Sequence, residues 1–432
     1  MDFPGILIEN PFSMSPKYLI PVGTFFCALL LMGAVKKRSI AIAPRYSTDF
    51  PYTDSDYINP LSSPDSLSKV IDSPHAQAKI QVVFALDATG SMSGLIGAAK
   101  EKIWSIAGSL AQADPAPVIE IGLIFYRDRG DQFITRRVAL SNDMDDVYGQ
   151  LMQMTADGGG DSPESVNQAL NEAVTRFKWD TAASTYKSVF LVGDCPPHMD
   201  YRDDVKYPVS CKLASQKDIV LNTILMGDNY SAKRVWKDIA QCNQGSFTQV
   251  NMDANDIQVN TPYDDQIARL SDQLDDSRVY YGSTEEKAVY AEKVSRSKYI
   301  SSNVAANVKA QRAEYNTTKA GKGVYYGKKE LLENYKDKSV SVATIKDEEL
   351  PAEMKGMTVV QKEEYLKKKV AVRDSLNREL AKYVKMRQEY IEKDLKTRKA
   401  EDVDSSFTNK IYKSIQQQTE KKKIYLKADA KY

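Results

Sequence analysis

Residues 79–91 read KIQVVFALDATGS, and this stretch decides the fold. Its first eight residues are a nearly continuous apolar run. A strand that buries one face alternates apolar and polar residues, whereas one buried on both faces is apolar throughout. Outward from this strand the same signals recur. Residues 93–111 carry Leu95, Ile96, Ala99, Ile103, Ile106 and Leu110 at helical spacing. Residues 118–126 (VIEIGLIFY) read as the next strand and residues 133–140 as an edge strand. Residues 147–154 and 163–177 read as helices, 188–192 (SVFLV) and 219–226 (IVLNTILM) as further buried strands, 235–241 as a helix and 246–250 as a short last strand. Strands alternating with helices predict an α/β fold, a doubly wound and mostly parallel sheet with helices on both faces. Ligands of such sheets sit outside the carboxyl ends of the strands.

Three of those ends carry oxygen donors. Asp87, Thr89 and Ser91 follow the first strand directly, and their alternation puts one carboxylate and two hydroxyls on one side of the turn. A second loop, residues 158–164 (GGGDSPE), offers Asp161 and Ser162, with glycines that permit a tight path. Pro163 suits the first turn of a following helix, with Asp161 or Ser162 near its N-cap. Asp194 follows the strand at 188–192. All are hard donors, which favours Mg²⁺, Mn²⁺ or Ca²⁺ over zinc. A site built partly from neutral hydroxyls leaves the ion electron-poor, so it seeks a further anionic oxygen from another molecule.

Taken together, D-x-T-x-S after the first strand, the glycine-rich second loop and the later Asp resemble the von Willebrand factor type A domain and its metal-ion-dependent adhesion site. The likeness covers residues 78–275. It is nearest to a subgroup with G-G-G-D-x-P-E-S and G-D-x-P-P-H segments, similar to the domain associated with alpha-kinases. Here those segments stand at 158–165 and 193–198, and Tyr126-Arg127-Asp128 fits the same subgroup. The resemblance implies that Asp87, Thr89 and Ser91 are first-loop ligands and Asp194 the third-loop ligand. In the second loop Asp161 or Ser162 takes the position where the family commonly has Thr. Cys195 departs from the subgroup's usual Ala, a change of local packing. Asp128 reads as a surface partner of Arg127 or Arg129, or as a support behind the ligands. His198 reads as a structural loop residue, and Arg129-Gly130-Asp131 as part of the subgroup's own stretch rather than an adhesion tripeptide.

Both termini differ in kind from this region. Residues 18–35 (YLIPVGTFFCALLLMGAV) are uncharged and are followed by Lys36-Lys37-Arg38, so residues 1–38 read as a signal peptide or an N-terminal transmembrane anchor. Residues 39–77 read as a linker. Residues 283–432 read as a helical, charged C-terminal region. Within it Leu366, Val370, Leu376, Leu380, Tyr383, Val384, Tyr390 and Ile391 predict a long amphipathic helix over 359–395 with coiled-coil character. Phe407, Ile411 and Ile415 predict a shorter one capped by Ser405 or Ser406.

The whole chain has 432 residues, with 59 Lys+Arg against 58 Asp+Glu. That balance lacks the one-sided basic field of a nucleic-acid binder. With 2 His, zinc-hydrolase motifs are excluded, and the 4 Cys have no C-x-x-C spacing. Cys211 and Cys242 read as separate buried thiols by default. The expected function is a metal-ion-dependent binding module, not an enzyme, exported or membrane-anchored, that captures a carboxylate of a partner protein. The alternative is a metal-assisted hydrolase or an accessory of a kinase system, although kinase and P-loop motifs are missing from the sequence.

Overall fold

A computed structural model describes residues 77–160, 162–252 and 256–432. The segment at 18–35, the linker up to residue 76 and Asp161 lie outside the described residues. Among the described residues no helix is long and apolar enough to cross a membrane.

The elements of the α/β part run β1 (Lys79–Asp87), α1 (Ser93–Leu110), β2 (Val118–Tyr126), β3 (Thr135–Ser141), α2 (Met144–Met152), α3 (Val166–Thr175), β4 (Tyr186–Gly193), α4 (Tyr207–Gln216), β5 (Val220–Met226), α5 (Tyr230–Gln241) and β6 (Phe247–Val250). The strand order is β3-β2-β1-β4-β5-β6, parallel except for β3, which runs antiparallel along the edge. The connections reverse direction between β1 and β4, the switch point at which such sheets open a crevice. Leu86 pairs with Val192, so Asp87 and Gly193 lie side by side there.

The apolar runs divide by residue parity. Ile80, Val82, Phe84 and Leu86 point into one core with Ile121, Phe125, Phe190 and Val192. Val83 and Ala85 point into the other, beneath α3, α4 and α5, with Leu170, Trp236 and Ile239. Both faces are therefore dry, which is why β1 does not alternate.

Helix α3 begins later than its sequence predicts. Glu164 pairs with the third loop through backbone bonds to Pro196 and from His198, and the Ser165 hydroxyl donates to Asp128. Residues 162–165 are thereby held out of the helix, whose N-cap Ser165 makes no capping bond.

The C-terminal part continues with α6 (Asp264–Asp276), α7 (Thr284–Asn303), α8 (Ala306–Thr317), α9 (Lys319–Tyr326), α10 (Leu331–Lys336), α11 (Val359–Thr397), α12 (Ala400–Ser405) and α13 (Phe407–Thr419). Ser283 with Glu286, and Thr358 with Gln361, form capping boxes that start α7 and α11. Ser406 caps α13, whose Phe407, Ile411 and Ile415 are buried. These helices share the core of the sheet. Val308 and Tyr315 of α8, with Phe407, Ile411 and Ile415 of α13, complete the face that α1 and α2 cover in part. Trp104 of α1 packs 5.5 Å from Tyr148 and 5.7 Å from Tyr315. Gln418 reaches under the sheet to Tyr186 and Asn222.

Helix α11 packs inside its own chain, against α6, α8 and α10. Its buried heptad positions are Leu366, Arg373, Leu380 and Arg387. Arg373 lies 2.8 Å from Glu330, and Arg387 lies 2.9 Å from Asp264. The expected stripe contained both leucines and neither arginine, and Tyr390, which it included, is 42% exposed.

Candidate metal-binding site

At the carboxyl ends of β1 and β4 the expected residues come together. Asp87 is fully buried as the last residue of β1. Its Oδ1 accepts from Thr89 N at 2.9 Å and Thr89 Oγ1 at 2.7 Å. Thr89 Oγ1 lies 3.3 Å from Ser91 Oγ, and Ser91 donates to Asp194 Oδ2 at 3.1 Å. Asp87, Thr89, Ser91 and Asp194 thus form one line of oxygens running from the core to the surface. Ser162 is exposed, and burial pushes the Cys195 thiol up to about 12.

Close approach at this point depends on two glycines. A Cβ on Gly193 would stand 2.3 Å from the Tyr126 hydroxyl and 3.0 Å from Asp87 Oδ2. A Cβ on Gly159 would stand 2.8 Å from Thr89 Cβ, and its φ of +74° is itself a glycine conformation.

The site is rich in uncompensated carboxylate. Asp87 Oδ2, Glu164 Oε2 and Asp194 Oδ1 are buried without a hydrogen-bond partner; the one further such carboxylate oxygen among the described residues, Asp204 Oδ2, belongs to an acid that Arg129 already pairs. Burial pushes the Asp87 carboxyl up to about 7 against its two Thr89 hydrogen bonds, and Asp194 adds to the rise. Burial, then the Asp87, Asp128, Asp131 and Asp194 carboxylates, push Glu164 up to about 9. Unpaired buried acids of this kind are costly unless a cation compensates them. Among the described residues no three His, Cys, Asp or Glu side chains are grouped to hold an ion by themselves. A cation here therefore has to use the hydroxyls of Thr89 and Ser91 beside the carboxylates, and the donor set suits a hard ion.

The surrounding motif residues tie the three loops to one another. Arg127 is buried, with Nε on Ala88 O at 2.9 Å and an Nη on Thr155 O at 2.8 Å. Gly90 N donates to Gly158 O, and Asp157 N to Ala88 O. Asp131 accepts from Gly159 N and Asp128 N. Asp128 does not pair with Arg127 or Arg129 on the surface. It is buried, accepting from Ser165 Oγ and Tyr201 Oη, each at 2.8 Å, with His198 Nε2 at 3.3 Å. Arg129 instead pairs with Asp203 and Asp204, so its Arg-Gly-Asp tripeptide is spent within the chain.

Glu164 is the residue the sequence reading missed as a candidate. Its only signal was a carboxylate ending the glycine-rich loop, which looks the same as an acid in the first turn of a helix.

Residues 81–257 match the family model of the von Willebrand factor A domain. Protein R811 of Acanthamoeba polyphaga mimivirus, an ariadne-like RING finger protein by name, is 28% identical over 162 residues, 37% of this chain and 15% of that protein. The chain therefore spans a minor part of that relative's length. Among solved structures, proximal thread matrix protein 1 of the mussel byssus is similar at 15% identity and a TM-score of 0.31, covering 41% of this chain and 43% of that one. The VWA domain of SpRpn10 is similar at 13% identity and a TM-score of 0.31, covering 40% of this chain and 88% of that one.

Proposed function

We propose that this chain, whose residues 81–257 match the family model of the von Willebrand factor A domain, is a metal-dependent protein-binding module and not an enzyme. Asp87, Thr89, Ser91 and Asp194 hold Mg²⁺, or Mn²⁺ or Ca²⁺ by the same chemistry, together with Asp161 or Ser162 of the second loop. The bound cation supplies an electron-poor centre for a carboxylate of the partner protein. The observation that carries this reading is the pair of unpartnered oxygens, Asp87 Oδ2 and Asp194 Oδ1, joined through the hydroxyls of Thr89 and Ser91.

Each residue has a distinct part. Thr89 occupies Asp87 Oδ1 and so fixes the carboxylate with Oδ2 free. Ser91 and Asp194 stand at the solvent side, so the partner approaches over them. Arg127, Asp128 and Asp131 hold the loops in register and leave ligation to others. His198 stands at 3.3 Å from Asp128 and 2.8 Å from Asp200, where it braces the third loop.

We assign the protein to an extracytoplasmic or membrane-anchored location. Residues 18–35 support this, and so does the disulfide between Cys211 and Cys242, whose Cα atoms are 6.0 Å apart. Such bonds persist in oxidising compartments, and the default of separate thiols gives way to that pairing.

The test is calorimetric titration of Mg²⁺ and Mn²⁺ into the full chain, wild type beside Asp87→Ala and Asp194→Ala. Saturable binding lost in both variants, with partner capture from an extract abolished by chelator, is the expected result. Equal affinity in wild type and variants would overturn the site.

A further inference from the structure

A cleft of about 500 Å³ opens in the helical part, between α6, α8, α9, α10 and α11. Its volume lies in the range of small-molecule sites. Leu274, Ala313 and Leu380, all buried, make an apolar floor, and the Tyr325-Tyr326 pair makes one wall. Helix α9 reaches this position because Gly321 packs against Tyr315. A Cβ at Gly321 would stand 2.3 Å from the Tyr315 carbonyl oxygen.

The polar groups around the cleft are cationic in balance. Asp374 is its lining carboxylate among the described residues, and it is engaged by Lys336 at 2.5 Å. Lys322 is 3.0 Å from Glu333. Arg378 lines the cleft without an ion pair among the described residues. Behind the wall, Arg278 lies 4.8 Å from the Tyr325 ring centroid and Arg373 lies 4.9 Å from that of Tyr326. The acids of those arginines, Asp275 and Glu330, are already engaged by them. The groups that would draw a cation, Asp374 and the two tyrosine rings, are already met by Lys336, Arg278 and Arg373, and the floor excludes a bare inorganic ion, which would have to shed water against leucine.

We propose that this cleft binds a small organic anion, with its apolar body on Leu274, Leu380 and the two tyrosines and its acidic group at Arg378. The assignment is independent of the metal site. Arg312, 5.8 Å from the Tyr325 ring, also pairs with Asp145 of α2, so the cleft backs onto the α/β domain.

The probe is 8-anilinonaphthalene-1-sulfonate, titrated into the full chain and followed by fluorescence and calorimetry. N-phenyl-1-naphthylamine serves as the uncharged counterpart. One saturable site is expected, with weaker binding of the uncharged compound. Arg378→Glu should weaken the anion by about tenfold, the effect of losing one favourable charge contact and gaining a repulsive one. Ala381→Trp, at an exposed position on the cleft wall, should abolish binding at an unchanged melting temperature. Absence of a saturable site, binding that survives Ala381→Trp, or equal affinity for the uncharged compound would overturn the proposal.

Discussion

Ser91 donates its hydroxyl to Asp194 across 3.1 Å, joining two loops 103 residues apart in the chain. That bond is the outer end of the oxygen line that begins at Asp87, and it couples the first and third loops before any ligand arrives. Asp87→Ala and Asp194→Ala should each remove saturable Mg²⁺ binding while leaving circular dichroism unchanged. Asp87→Asn should do the same and also raise metal-free stability at pH 8 by roughly 1–3 kcal/mol, because it removes a buried uncompensated charge. A chemical-denaturation midpoint that falls in Asp87→Asn would contradict the electrostatic account.

The pH dependence follows from the same groups. Asp87 sits at about 7 and Glu164 at about 9 in the folded, metal-free chain, both above their ordinary values. The folded state then binds protons that the unfolded state has released. Their contribution to stability is full below about pH 4 and is lost as pH rises through 7 and then 9. Metal binding needs the deprotonated acids, so the stabilisation by Mg²⁺ should grow over the same window. Thermal melts from pH 5 to 9, with chelator or with Mg²⁺, check this. A Mg²⁺ increment that stays flat with pH would count against ligation by Asp87.

Much of this site was legible in the sequence because parallel strands announce themselves. The run ending at Leu86 is apolar on both parities, and the switch at once to Asp, Thr and Ser marks where the strand gives out at the sheet's carboxyl edge. What stayed hidden was of two kinds. Asp128 and Asp131 look like surface acids, and only the fold brings Ser165, Tyr201 and Gly159 to them. Arg373 and Arg387 look like the solvated side of α11. They are buried because Glu330 on one side, and Asp264 and Glu314 on the other, meet them from helices distant in sequence. A charge whose partner lies far along the chain has no local signature. The same holds for α8; the stripe of Phe407, Ile411 and Ile415 announces a buried face on α13, but not that the sheet's core lies beneath it.

Arg127 holds the site's loops by donating to the carbonyl oxygens of Ala88 and Thr155. Arg127→Met keeps much of the volume and removes both bonds. The expected cost is roughly 2 kcal/mol of stability, with two carbonyls left to find other partners. Mg²⁺ affinity should fall by about 10–100-fold, as it does when supports of ligands are lost elsewhere. Calorimetry on the folded variant separates the two effects. Unchanged affinity would show that the loops keep their register without the guanidinium.

Arg312 joins the two parts of the chain, with Asp145 of α2 at 2.6 Å and Asp275 of α6 at 2.8 Å. Against the cost of burial, its guanidinium holds Asp145 well below the usual carboxylate range. Arg312→Met strands Asp145 in the interior, while Asp275 keeps Arg278 at 3.0 Å and the Tyr325 hydroxyl at 2.9 Å, and should cost about 3–5 kcal/mol. Adding Asp145→Asn should recover part of that loss, since the stranded charge is gone. Urea unfolding of the single and double variants measures it, and a double variant no more stable than the single would refute the charge argument.

The same packing bears on where the α/β domain ends. Ile103, Trp104 and Leu110 of α1 are buried, in a core that includes Tyr315, Phe407, Ile411 and Ile415. A chain cut after α6 would present that whole apolar face of α1 and α2 to water, and at about 25 cal/mol per Å² even a few such side chains exceed the margin of a small domain. Residues 77–276 alone should therefore lack a cooperative unfolding transition, or associate through the uncovered face, while the chain containing α7 to α13 unfolds in a single step. Urea denaturation with light scattering on both decides it. A monomeric fragment with a sharp transition would mean that the helical part is an appended body, and that α8 and α13 lie on a face already stable without them.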